Sequence, residues 1–276
     1  MKQRTITSGV ILAVMICVLL VSNTIIYPLV LALLSLCAMF ELLRVIDYHK
    51  KFEVSIPAYC IASGVPILSF YARNMSYERF VIVVGTSFFG FLIYLFVISI
   101  MEGGKFRFSG ISSVFVSVLY ITACFTALCL VRYMTNGLFN LGLVLIAAWI
   151  TDIFAYLIGS VFGKHKLIPK VSPKKTVEGS VGGTVCATLG ALLYGFIVSL
   201  VTNLVPNYLV LAVAGAILSV ISQIGDLVAS LIKREYGVKD YGNLLPGHGG
   251  IMDRFDSIIA VSIALLFICN IVTPFT

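Results

Sequence analysis

Charge is scarce in this chain of 276 residues: Asp, Glu, Lys and Arg make up 11%, against 60% hydrophobic residues and a mean hydropathy of +1.07. A soluble globule carries ~25% charged and ~45–50% apolar residues, so a water-soluble fold is excluded. A disordered tail, a coiled coil and a collagen are excluded on the same grounds. The seven cysteines are odd in number, lie in apolar runs and lack C-x-x-C spacing. They read as small buried hydrophobes, which argues against a disulfide framework or a zinc site. Only three histidines occur, and His165 and His248 have no second His at metal-ligand spacing. There is no Gly-x-x-x-x-Gly-Lys-Ser/Thr run, which excludes a Walker-type ATPase.

What is abundant is long apolar runs. Broken by polar, Gly and Pro punctuation, they predict spanning helices at about 8 to 22, 24 to 46, 55 to 72, 79 to 100, 110 to 131, 138 to 161, 180 to 203, 207 to 230 and 254 to 273. The fold class is therefore all-α, a polytopic integral membrane protein of about nine transmembrane helices. The first run follows Lys2 and Arg4 but carries no small-residue cleavage site, so it is read as an uncleaved helix. The net charge of +7 reports orientation rather than a nucleic-acid partner. With nine spans, all but Arg73, Arg79 and Arg132 of the 19 basic residues fall on one side. The positive-inside rule then places the N-terminus and the hydrophilic connections 162–179 and 231–253 in the cytoplasm.

An ionised carboxylate inside a spanning helix costs at least ~2.5–3.5 kcal/mol, so Asp152 and Asp226 need an explanation. Asp152 lies about half-way along its span, with Tyr156 one turn away as a possible partner. Asp226 shares a helical stripe with Ser219, Ser222 or Gln223, Ser230 and Lys233, which must face the bundle interior or a cleft. Ser219, Ser222 and Gln223 read as interhelical hydrogen-bond glue. In the connection before the last span, Pro246-Gly247 and Gly249-Gly250 permit tight turns and leave backbone amides open to a ligand. Asp253 and Asp256 project from the first turn of the helix that follows, where an ordinary N-capping pair is the bland alternative. Asp226 with Asp253 or Asp256 would offer oxygen ligands to a hard cation such as Mg²⁺. Lys233, Arg234, Lys239 and Arg254 surround them, and Lys170, Ser172, Lys174, Lys175 and Thr176 stand in the other long connection. Acidic metal ligands ringed by cations suit phosphoryl or nucleotidyl transfer. Lys50, Lys51, Lys105 and Arg107 read as topology signals alone. Gly179, Gly182, Gly183 and Gly190 read as sites of close helix packing rather than a phosphate cradle.

The run from Ser230-Leu-Ile-Lys-Arg234 through Lys239-Asp240 to Pro246-Gly-His-Gly-Gly-Ile-Met-Asp-Arg-Phe-Asp256 resembles the signature of phosphatidate cytidylyltransferases, also called CDP-diacylglycerol synthases. A second run, Thr151-Asp152 through Phe162-Gly-Lys-His-Lys166 to Val171-Ser-Pro-Lys-Lys-Thr-Val-Glu-Gly179, is similar to the family's other shared stretch. It departs at Val177, where Trp is common, and at Ile153-Phe154, where small residues are common. The likeness covers roughly residues 140–260.

The resemblance implies condensation of CTP with phosphatidic acid to CDP-diacylglycerol and pyrophosphate. It also implies Mg²⁺, a second cation such as K⁺ or Mg²⁺, and a homodimer among membrane lipids in the cytoplasmic membrane. On this reading Asp226 and Asp253 hold the metal, with Asp256 and Asp152 next. Lys174, Lys175 and Thr176 contact the triphosphate, and Lys233, Arg234 and Arg254 screen the phosphates. Ser172, Glu178, Lys239, Asp240, His248, Gly249 and Gly250 complete the substrate-binding set. Residues 1–136, the first five spans, are expected to serve a dimer or scaffold role, and 137–276 to form the catalytic core. Two other readings fit part of the pattern. A cation- or proton-coupled transporter would use Asp152 and Asp226 as carriers, and a CTP-dependent polyprenol kinase would share the nucleotide and the membrane.

Overall fold

The computed structural model describes residues 9, 13–244 and 249–276, Asn74 by its backbone only. Eight of its helices are long and apolar enough to cross a membrane, and the protein is an all-α polytopic membrane protein. They are α1 (Ile26–Val45), α2 (Phe52–Tyr71), α3 (Tyr77–Met101), α4 (Phe108–Tyr133), α5 (Gly137–Phe162), α6 (Val177–Val201), α7 (Tyr208–Glu235) and α8 (Met252–Ile271). Residues 13–20 of the first expected span are helical; its start, at 8 and 10–12, lies outside the described residues. Hydrophobic length decides these elements, because a backbone in lipid must satisfy its own hydrogen bonds. Caps sharpen the ends: Ser76, Thr176 and Asn207 accept from the N–H three residues on, at 3.4, 3.2 and 3.2 Å. The expected start at 180 moves to Val177 for this reason.

The exception to the helices is a hairpin, β1 (Lys166–Ile168) and β2 (Ser172–Thr176), antiparallel with Lys166 opposite Thr176 and Ile168 opposite Ser172. Sequence reading takes this stretch as plain loop. Its two strands are too short and too polar to show an alternating apolar pattern.

The chain divides into two compact units: one ends at Cys129 and includes Asp240–Asp253, the other comprises Leu130–Lys239 and Arg254–Thr276. In the first, α1 packs along α2, and the Tyr27 hydroxyl donates to Leu128 O at 3.3 Å. Lys51 pairs with Glu102 at 2.7 Å and lies 4.2 Å from the Phe106 ring centre.

In the second unit α6 is the central helix, packed on α5 and α7. Its buried face reads Gly179, Gly183, Ala187, Ala191, Gly195, small residues four apart that let backbones approach. A side chain at Gly183 would lie 2.9 Å from Thr151 O, and one at Gly179 3.0 Å from the Gly159 α-carbon. A side chain at Gly182 would run into Ile158, and one at Gly190 would crowd Ile150. The expectation that these glycines serve helix packing therefore holds. The chain end is pinned to the α6–α7 connection, with Asn207 N–H donating to Pro274 O at 2.9 Å and Thr276 N–H to Val205 O at 3.0 Å.

Candidate functional site

Three carboxylates converge in the second unit, one each from α5, α7 and α8. The close approach of α7 to α8 is made by Gly225, where an added Cβ would meet Ala260 Cβ at 2.6 Å and Asp256 O at 2.7 Å. With no side chain there, Asp226 comes within electrostatic reach of Asp256, and Asp152 faces both. Burial grades across the set. Asp256 is 7% exposed, the Asp226 side chain 27%, and Asp152 opens on a cleft of about 220 Å³.

Their partners are few. Lys175 Nζ forms an ion pair with Asp226. Asp152 accepts a long hydrogen bond, 3.4 Å, from the Ser257 hydroxyl of α8, so its partner is Ser257 rather than the expected Tyr156, which lines the same cleft. Asp256 accepts from the adjacent Ser257 N–H at 2.8 Å, and Lys233 acts on it electrostatically. Ser180 and Gln223 also line the cleft.

The hairpin brings the lysines. Lys174 and Lys175 sit consecutively on β2, and both reach the cleft wall. Glu178 anchors this arrangement: its carboxylate accepts from His165 N–H at 3.2 Å and bonds His165 Nδ1 at 2.6 Å. Val177 N–H donates to His165 O at 2.9 Å. Thr176 is 6% exposed, and its hydroxyl caps α6. Glu178 and Thr176 thus have structural partners of their own, whereas Lys174 and Lys175 face the cleft. Ser172 is half-buried in β2, and Arg234, Lys239, Asp240 and Arg254 are exposed.

Behind the carboxylates runs a polar ladder. The Thr151 hydroxyl donates to Ser219 at 2.7 Å, and the Ser219 hydroxyl to Thr184 at 3.3 Å. Gln223 accepts from Ser180 at 2.5 Å and donates to Thr184 at 3.1 Å. Ser219 and Gln223 are the expected interhelical glue, each bond worth about 0.6 kcal/mol. Ser222 is not: its hydroxyl is buried with no hydrogen-bond partner.

The signature connection organises itself within the first unit. Asp253 Oδ2 accepts from Tyr241 N–H at 2.8 Å and Gly250 N–H at 3.0 Å. The Gly250 amide, expected to be open to a ligand, is therefore committed to Asp253. Gly249 adopts φ +84°, the conformation its turn requires. Glu41 of α1, 3% exposed, accepts from Ile251 N–H at 3.0 Å and Met252 N–H at 2.9 Å, capping α8 from another helix. Arg44 donates to Tyr241 O at 2.6 Å. Glu41 was missed in the sequence, although the rule that singled out Asp152 and Asp226, a carboxylate inside an apolar run, applies to it equally. His248 lies outside the described residues.

Oxygen donors without Cys or His suit a hard divalent cation, and among the described residues Asp226 alone of the three forms an ion pair. The donor chemistry fits such an ion. Among the described residues no group of three His, Cys, Asp or Glu side chains is placed to hold a metal ion together. That is usual for Mg²⁺, which takes one or two carboxylates and keeps waters or substrate phosphates.

The comparisons with known proteins agree along the whole chain. The model described as the cytidylyltransferase family matches residues 2–272. A phosphatidate cytidylyltransferase of Bacillus subtilis (strain 168) is 35% identical over 274 residues, 97% of each chain. Those of Staphylococcus saprophyticus and Staphylococcus aureus (strain COL) are 36% and 34% identical over 262 and 261 residues, 95% of this chain and 96% of theirs. With acidic side chains from three helices within electrostatic reach of one another, a lysine-bearing hairpin paired to one of them, and similarity from end to end, this chain belongs to the cytidylyltransferase family.

Proposed function

We propose that the protein is a nucleotidyltransferase that moves CMP from CTP to phosphatidic acid, giving CDP-diacylglycerol and pyrophosphate. The observation that carries this reading is that Asp152, Lys174 and Lys175 line one cleft, with Asp226 paired to Lys175 and within electrostatic reach of Asp152 and Asp256. The end-to-end likeness to phosphatidate cytidylyltransferases supports it.

In the reaction a phosphate oxygen of the lipid forms a bond to the α-phosphorus of CTP, and the bond from that phosphorus to the β-phosphate bridge breaks. The nucleophile is already anionic near neutral pH, so the protein needs no general base. It has to position two polyanions and offset their charge. Asp226, with Asp256 or Asp152, would hold Mg²⁺, which would supply charge neutralisation on the phosphates and the leaving oxygen. Lys175 stands at Asp226 and Lys174 next to it on the strand, so both ammonium groups serve the triphosphate. Lys233, beside Asp256, moderates the acidic cluster. Thr176 and Glu178 fix the hairpin that presents the lysines.

The distribution of basic residues supports a cytoplasmic N-terminus and a site at the inner face of the cytoplasmic membrane. There a soluble nucleotide meets a lipid head group. The family resemblance supports a homodimer and a second cation.

The test is transfer of label from CTP to lipid by purified protein with Mg²⁺ and phosphatidic acid. Label at the α-phosphate should enter the lipid fraction, with γ-label recovered in water. Lipid labelled from the γ-position would make the protein a kinase, and ion flux in proteoliposomes without CTP turnover would make it a transporter.

A further inference from the structure

We propose that Glu41 and Arg44, on α1 in the N-terminal half, are positioning residues for the signature connection, and that turnover depends on their grip. This rests on the cytidylyltransferase reading above. The two side chains hold both ends of one segment. Arg44 donates to Tyr241 O at the start of it, and Glu41 takes the Ile251 and Met252 amides at the end. The segment closes on itself through Asp253, which takes the Tyr241 and Gly250 amides.

Each part of the grip leaves no slack. Tyr241 is fully buried. Cβ atoms at Gly242 or Gly250 would run into the Glu41 carboxylate, so the glycines are there to admit it. A carboxylate 3% exposed in an apolar helix is costly unless its oxygens are satisfied, and each Glu41 oxygen takes one backbone N–H. Those two amides open α8, where the helix has no internal acceptors. Glu41 therefore fixes where α8 begins, and with it the register of Asp253 and Asp256 on that helix. It touches no reacting atom, and its effect passes through the backbone it holds.

The experiment uses full-length Glu41→Gln and Arg44→Met in detergent. Glutamine keeps one acceptor oxygen but aims an amide donor at the second N–H, and methionine removes the donor to Tyr241. Two quantities are read: steady-state CMP transfer per folded protein, and chymotrypsin cleavage after Tyr241 relative to the half-exposed Tyr236. We expect kcat to fall about tenfold to a hundredfold, with KM for CTP changed less than about threefold. Cleavage after Tyr241 should rise about tenfold, since it reports local opening.

A purely structural role would lower yield and thermal midpoint and leave kcat per folded molecule at the wild-type value; that result overturns the proposal. Unchanged cleavage after Tyr241 in both variants also overturns it, whatever happens to kcat. If Glu41→Gln does not fold, Arg44→Met carries both measurements. Wild-type protein that transfers no CMP would sink the cytidylyltransferase reading instead, and the cleavage ratio would still report whether the grip exists.

Discussion

Two sets of acids sit on the spanning helices of this protein, and they are treated differently. In the first unit Glu41 and Asp253 each receive two backbone amides. In the second, Asp226 has a lysine, Asp152 a single long bond from a hydroxyl and Asp256 the amide of its own neighbour. Backbone amides cannot leave, so a carboxylate oxygen that receives them is tied to the frame. A side-chain ammonium can swing away, and a carboxylate paired with one keeps its capacity for an incoming cation. On the function proposed above, the partner rather than the depth of burial would separate acids that hold the backbone from acids that meet the cation.

The largest effect that would sharpen this contrast belongs to Asp226→Asn. It removes charge where a cation must be held, so CMP transfer should fall at least about a thousandfold, with chymotrypsin cleavage after Tyr241 unchanged. Near-normal turnover would remove Asp226 from the site. Asp253→Asn should also cost about a hundredfold in turnover, but here the Tyr241 bond should become easier to cut. Equal cleavage in the two variants would erase the distinction between the sets.

Next comes Gly225→Val. Its side chain has no room between α7 and Asp256 O, and overpacking of this kind costs about 1–3 kcal/mol. The thermal midpoint should drop, and the Mg²⁺ concentration needed for half-maximal rate should rise as the carboxylates separate. An unchanged Mg²⁺ requirement would mean that the helices do not set the spacing of the acids. Smallest is Gln223→Leu, which breaks ties to Ser180 and Thr184 and should lower stability by about 0.6 kcal/mol per bond lost. A large loss of turnover with an unchanged midpoint would promote Gln223 from glue to site.

The spans were legible in the sequence because hydrophobic length is a local property. Asp152 and Asp226 were legible because charge in an apolar run has a cost that one chain can display, and Asp256 because it stands in the first turn after the Gly-rich connection. Asp226 was expected to share a cation with Asp253 or Asp256. What that expectation does not contain is Gly225, whose missing side chain lets the backbone carrying Asp226 approach Asp256. The hairpin was illegible because strands of three and five residues are too short to show a period. Glu41 was within reach of the same cost argument, but its partners lie 210 and 211 residues away in the chain.

The row of small residues on α6 has one more implication. Where peptide groups meet directly, the gap between two helices is set by van der Waals radii and leaves no rotamers to adjust. α5 and α6 thus resemble a welded seam more than a hinge. Asp152, carried on one, and the lysines, carried on the strand that leads into the other, keep a fixed gauge whatever the surrounding lipid does.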